Sequence, residues 1–215
     1  MSEKKAERTG IHRVLERTRV YATLQTGIGR SGTAQHLRDA YFPGLGSSIS
    51  RVLDIGCGPA QFLTNYGTSA SFTYVGFDPN PAYIKTGHEN FPLAELHVGT
   101  TTSVADEITG EFDLAVAFGV LHHVDDDEAG RITQFAHDRL APGGTFMTID
   151  PVLIDRQNPI ARLLAKADRG KYVRGLDAYS RLVIAGFGGE PVQGDVLSNL
   201  LRVPYNHAVV IAHRR

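Results

Sequence analysis

Asp54, Gly56, Cys57 and Gly58 stand in the run Val52-Leu53-Asp54-Ile55-Gly56-Cys57-Gly58-Pro59-Ala60, where an apolar stretch runs straight into a glycine turn. Such a turn brings backbone close to a ligand, because a Cβ there would block the approach. The helix that the turn opens also presents unpaired N–H groups to whatever binds. About twenty residues further on, Asp78 ends the run Val75-Gly76-Phe77-Asp78, a place from which one carboxylate can accept both hydroxyls of a ribose. Together they describe a nucleotide-type pocket. His122 and His123 close a later apolar run, and Asp150 closes the one after that. Ligands in open α/β sheets bind beyond the carboxyl ends of the strands, so these three are the candidates for moving a proton. A plainer role stays open for each: the histidines as ordinary residues of a strand end, Asp150 as a turn residue before Pro151.

Two ligands could use the glycine turn. A dinucleotide fingerprint needs glycine at position 61, where Gln61 stands, and does not require an acid ahead of its first glycine, where Asp54 stands. S-adenosylmethionine has no pyrophosphate to cradle but carries an ammonium group, which an acid at the strand end can serve directly or through water. The run Val52–Ala60 resembles motif I of the class I S-adenosylmethionine-dependent methyltransferases, and Asp78 is similar to their ribose-binding acid. Phe112-Asp113-Leu114-Ala115-Val116-Ala117-Phe118-Gly119-Val120-Leu121-His122-His123-Val124 resembles the family's fourth-strand motif. Leu140-Ala141-Pro142-Gly143-Gly144-Thr145-Phe146 resembles the loop before its fifth strand, so the likeness covers about residues 50–150.

The resemblance implies an α/β fold, a Rossmann-like, doubly wound seven-stranded sheet whose last strand is antiparallel, with S-adenosylmethionine as the cofactor. It implies a cofactor pocket bordered by Asp54, Gly56, Cys57, Gly58, Asp78, Pro79, Phe118 and Gly119. The chain departs from the pattern in two places. Ala60 replaces the third glycine and is read as tightening helix packing. No acid follows the third strand, where Thr100 and Thr101 either accept from the adenine amine or cap a helix. Ala117-Phe118-Gly119-Val120 stands where an Asn-Pro-Pro-Tyr or Asp-Pro-Pro-Tyr run would mark the branch that methylates amino groups of adenine, cytosine or glutamine. The expected reaction is methyl transfer to oxygen or nitrogen of a small polar or anionic metabolite, in a natural-product or saccharide pathway. The alternatives are a cofactor-binding regulatory protein without catalysis and an RNA methyltransferase acting with a partner.

The elements that must position these residues follow from periodicity. Arg51–Ile55, Thr73–Phe77, Ala94–Val98, Phe112–Phe118 and Gly144–Ile149 are short β-rich runs separated by helix-length segments, the pattern of a parallel sheet. Thr33–Tyr41 and Leu176–Ala185 suit helices, Glu190–Val192 a short strand and His207–Ala212 a final one. Ile11, Val14, Leu15, Val20 and Leu24 are spaced for one or two amphipathic helices, and the resemblance implies that residues 1–50 form a helical cap. Tyr21, Gln25 and Arg30 are either cofactor contacts or purely structural. The resemblance implies that residues 51–215 form the main domain and that 151–176 is a substrate lid. Arg156, Arg169, Lys171, Tyr172 and Arg174 make that lid dense in donors, which suits a carboxylate, a phosphate or a sugar; a solvated surface is the alternative. Tyr205, in Arg202–His207, either closes the same pocket or belongs to a plain turn.

Composition sets the outer bounds. The 215 residues suffice for one well-buried core, and with 22 basic and 23 acidic residues the net charge of −1 provides no field for non-specific nucleic-acid binding. A lone cysteine permits neither an intrachain disulfide nor a multi-thiolate site. Asp125, Asp126, Asp127 and Glu128 read as helix-capping acids rather than as a metal site, and no metal is expected. No apolar run is long enough to span a bilayer, and the first ten residues lack a leader pattern, so a cytoplasmic protein is expected.

Overall fold

The computed structural model describes residues 32–67, 71–167, 170–198 and 205–215. Its β-branched and aromatic runs become seven strands: β1 (Arg51–Ile55), β2 (Thr73–Asp78), β3 (Glu95–Val98), β4 (Phe112–Phe118), β5 (Leu140–Pro151), β6 (Gln193–Leu197) and β7 (His207–His213). They lie in the order β3-β2-β1-β4-β5-β7-β6. The pairs β1–β2, β1–β4, β2–β3 and β4–β5 are parallel, while β7 runs antiparallel to both β5 and β6. The strand order reverses at β1 and β4, which opens a crevice at their carboxyl ends.

Successive side chains of a strand point to opposite faces, so burial on both sides requires helices on both. On one face Leu53, Ile55, Val75, Phe77, Ala115 and Ala117 pack against helix Asp126–Arg139 and helix Leu176–Gly186. On the other, Val52, Tyr74, Leu114, Val116, Met147 and Ile149 share a cluster with Leu37, Phe42, Phe62, Tyr66 and Ile84. These last come from Thr33–Tyr41, the residue after it, Gln61–Tyr66 and Pro81–Asn90. In chain order the helices are α1 (Thr33–Tyr41), α2 (Gln61–Tyr66), α3 (Pro81–Asn90), α4 (Asp126–Arg139), α5 (Pro159–Ala167) and α6 (Leu176–Gly186). The described part of the expected cap, 32–50, therefore contributes Leu37, Phe42 and Leu45 to the core. The amphipathic run Ile11–Leu24, with Tyr21, Gln25 and Arg30, lies outside the described residues.

Three elements differ from the sequence reading. β5 begins at Leu140 rather than at Gly144, so the run read as the loop before it lies in the strand, where the pairing with β4 shifts register between Phe112 and Leu114. β6 forms at Gln193–Leu197 rather than at Glu190–Val192, because Pro191 has no N–H to give a ladder and Gly188 and Gly189 hold positive φ just before it. The crossover between β3 and β4 is a series of turns instead of a helix.

Candidate functional site

β1 delivers the chain to the glycine turn, where the Cys57 N–H donates to the Phe77 carbonyl at 3.0 Å and ties the turn to β2. Gly56 and Gly58 take positive φ of 69° and 55°. Ala60 does so too, at 61°, as the N-cap of α2. Position 60 thus favours glycine because of its left-handed backbone, and Ala60 is also fully buried in the core cluster beneath the turn, as expected of a packing residue. A Cβ placed on Gly58 would meet nothing within 4 Å, so the turn leaves open space there.

Two buried carboxylates flank this turn. Asp78 Oδ2 accepts the Gly58 N–H at 3.1 Å, and Oδ1 accepts the Asn80 N–H at 2.8 Å. Burial pushes its pKa up, and the two N–H donors oppose that shift. Asp54 Oδ2 accepts the Tyr74 hydroxyl at 2.6 Å inside an aromatic group that includes Phe62, stacked on Tyr74 with ring centroids 6.1 Å apart. Burial raises Asp54 to about 7; the Tyr74 hydrogen bond lowers it and the charge of Asp78 raises it further. Neither acid is in an ion pair among the described residues. The Cys57 thiol is buried beside both and is pushed far up, so it stays protonated.

The remaining cofactor candidates lie around the same mouth. Pro79 is exposed beside Asp78, and Phe118 and Gly119 are half-buried at the end of β4, where the Gly119 N–H donates to the Ile149 carbonyl at 2.7 Å. Thr100 is exposed, and its N–H donates to the Ser103 hydroxyl oxygen at 2.8 Å. Thr101 is buried, with its hydroxyl 3.4 Å from Glu128 of α4. No helix starts at either residue, so they cap none there.

His122 and Asp150 meet. A 3-10 turn, Leu121–His123, follows β4 and carries the buried His122 to the end of β5, where its Nδ1 lies 2.8 Å from Asp150 Oδ1. The same oxygen accepts the His122 backbone N–H at 3.1 Å, and Asp150 Oδ2 contacts the Thr148 hydroxyl. Asp150 is an acceptor for all of these, which fixes Nδ1 as the protonated nitrogen of His122. His123 is exposed, its ring centroid 3.9 Å from that of His122 with the two planes tilted by 39°.

The lid residues divide. Arg174 gives its guanidinium to the Leu121, Tyr172 and Val124 carbonyls at 2.6, 3.0 and 2.9 Å and to Asp126 at 2.6 Å. It is therefore engaged by the chain itself, which corrects its reading as a substrate ligand. Lys171 and Tyr172 are exposed and line, with His123, Val124, Asp125, Glu128 and Arg131, an open cavity of about 440 Å³. Arg156 is exposed at a positive φ of 55°. Tyr205 is buried, edge-on to His207 at 5.1 Å. Arg169 lies outside the described residues. Asp125 caps α4 by accepting the Glu128 N–H at 2.9 Å. Among the described residues no group of three or more His, Cys, Asp or Glu is placed to hold a metal ion, and no helix is long and apolar enough to cross a membrane.

Sequence reasoning missed Tyr74, Thr148, Gly170 and Tyr179. Tyr74 carried a signal, since strand alternation puts it on the face of Asp54 in the neighbouring strand. Gly170 carried none, because its role depends on a long-range contact with His122.

Residues 19–183 match the family model described as a methyltransferase domain. The uncharacterized methyltransferase sll0829 of Synechocystis is 32% identical over 103 residues, and the chain spans about half the length of that relative, 46% of each being covered. Human N-acetylserotonin methyltransferase, solved with S-adenosylmethionine, superposes with a TM-score of 0.66 at 16% identity, over 91% of this chain and 55% of that one. The plantazolicin methyltransferase BamL, solved with S-adenosylhomocysteine, superposes with a TM-score of 0.69 at 11% identity, over 95% and 92%. At such identities the superpositions speak for the fold, and the family match over most of the chain speaks for descent: the chain belongs to the methyltransferase-domain family.

Proposed function

We propose that this chain is an S-adenosylmethionine-dependent methyltransferase that delivers a methyl group to an oxygen or nitrogen of a small polar or anionic metabolite, in a natural-product or saccharide pathway. The observation that carries the proposal is the pair of buried acids at the glycine turn, Asp54 and Asp78, beside the open space over Gly58. The residues fit the cofactor. Asp78 stands where a ribose is held, and Asp54 supplies negative charge for an ammonium group. Asp54, buried beside the turn, would repel the pyrophosphate of a dinucleotide, which needs no acid there. The family match and the solved relatives carrying this cofactor or its product support the same choice.

When bound, the cofactor supplies an already activated methyl sulfonium, so the protein must mainly align an acceptor and exclude water. For a hydroxyl acceptor a base is also required. With its Nδ1–H donating to Asp150, His122 is in the tautomer whose basic atom is Nε2, and in this reading that atom takes the acceptor's proton. Asp150 stabilises the imidazolium that results. Lys171, Tyr172 and His123, on the cavity beside this pair, offer an acceptor one cation, one aromatic face and polar donors. Arg156 and Tyr205 belong to the same proposed acceptor region on sequence grounds alone.

Calorimetric titration with S-adenosylmethionine, S-adenosylhomocysteine and NAD tests the assignment. Micromolar binding of the first two that collapses in Asp78→Ala supports it; silence with both, or preference for NAD, sinks it.

A further inference from the structure

We infer that Arg174 is the positioning residue of the His122–Asp150 pair, joining the turn that carries the histidine to the strand end that carries the aspartate. This rests on the reading of His122 as the proton acceptor.

The argument begins with the backbone of the His122 turn. A single 3-10 turn leaves most of its carbonyls without intrahelical partners, and buried carbonyls need them. Here the partners come from residues 172–174. Arg174 reaches the Leu121 carbonyl on one side of the histidines and the Val124 carbonyl on the other, at 2.6 and 2.9 Å. The Tyr172 N–H donates to the His122 carbonyl between them, at 3.0 Å. The carboxylate of Asp126, at the start of α4, anchors the guanidinium at 2.6 Å.

The other half of Arg174 faces β5. Its carbonyl accepts the Leu153 N–H at 3.0 Å, and Val152 and Arg174 form a parallel bridge just past Asp150. Its N–H donates to the Tyr179 hydroxyl at 3.3 Å, which in turn donates to the Pro151 carbonyl at 3.0 Å. One residue thus holds both members of the pair: the side chain fixes the histidine turn, and the backbone fixes the strand end. Gly170 makes the approach possible, since a Cβ there would come 2.1 Å from His122 Cδ2. Lysine cannot replace the clamp, because a single ammonium does not span carbonyls on both sides of the turn as a planar fork does.

The test reads the Nδ1 proton of His122 in the full chain by nitrogen-15 NMR, with the signal assigned by its disappearance in His122→Asn. Arg174→Ala is expected to speed exchange of that proton about tenfold or more and to populate the other tautomer, with Arg174→Lys recovering only part of the protection. Arg51→Ala serves as the structural control. Arg51 clamps the Glu111 carbonyl at 3.0 Å near the opposite end of the sheet, and its loss should leave the His122 proton unchanged. If Arg174→Ala does not fold, Arg174→Lys alone decides. A folded Arg174 variant with wild-type exchange overturns the inference, as does an equal effect from Arg51→Ala. Calorimetry with S-adenosylhomocysteine on the same wild-type sample separates the two readings. Absence of binding there defeats the methyltransferase reading, while the exchange rates judge the coupling by themselves.

Discussion

Asp54 is an acid in surroundings that oppose its charge, and its pKa of about 7 has two consequences of opposite sign. In the ligand-free protein the folded-state value lies above the ordinary 3.8, so the native state holds the proton more tightly than the unfolded chain does. That stabilisation is complete below the ordinary carboxylate value and is lost as pH rises through about 7. Asp54→Asn should therefore exceed the wild type in stability at pH 8, by on the order of 1–3 kcal/mol, and converge with it near pH 4, as read by urea denaturation. For the cofactor the charged form is the useful one. Affinity for S-adenosylhomocysteine should rise between pH 6 and pH 8 in the wild type and stay flat in Asp54→Asn; a flat wild-type profile would remove Asp54 from the ammonium site. At His122 the expectation is kinetic. Once an acceptor is identified by screening, His122→Ala should lower kcat by about 10²–10⁴-fold while product affinity changes little. A loss confined to KM would make the histidine a wall rather than a base.

The elements that carry these residues were legible where pattern and backbone agree. The helix Thr33–Tyr41 and the strands Arg51–Ile55 and Phe112–Phe118 lie where their periodicity places them, because local apolar spacing and final burial coincide there. β6 was misplaced because its ladder is set by pairing with β7, a tertiary event that overrides a weak local preference around Pro191. The candidate site divides along the same line. The glycine turn and Asp78 are contiguous motifs and visible; the Tyr74–Asp54 bond spans 20 residues and is hinted at only by strand alternation, while the His122–Asp150 bond spans 28 and no local signal pairs its members. Arg174 misled for a related reason. A cation in a donor-rich segment suggests an anionic ligand, yet this one answers the chain's own carbonyls. The packing of the 170–174 segment on the histidine turn makes a prediction at this scale. Gly170→Ala forces a Cβ against His122 and should cost about 1–3 kcal/mol in denaturant unfolding. An unchanged midpoint would mean that the segment does not press on the turn.

Across the whole molecule both helical layers rest on the same strands. Leu53 and Ile55 face one cluster while Val52, from the same strand, faces the other. A ligand at the carboxyl ends of β1, β2 and β4 therefore contacts the strands that join the layers, and unfolding either layer should release it. Coupling of that kind turns local affinity into global stability. Ligand at a hundred times its dissociation constant adds about 2.7 kcal/mol to a protein that binds it only when folded. In a chain of this size that corresponds to a rise in Tm of roughly 5–10 °C. S-adenosylhomocysteine should produce such a shift in a single cooperative transition; NAD should not, and Asp78→Ala should abolish it without lowering the ligand-free Tm by a comparable amount. The last comparison separates the two roles open to Asp78. Its hydrogen bonds to the Gly58 and Asn80 N–H groups could serve mainly to hold the turn, in which case the variant melts early with or without ligand. If the carboxylate serves mainly the ribose, the melting temperatures of variant and wild type stay close until ligand is added and only then diverge.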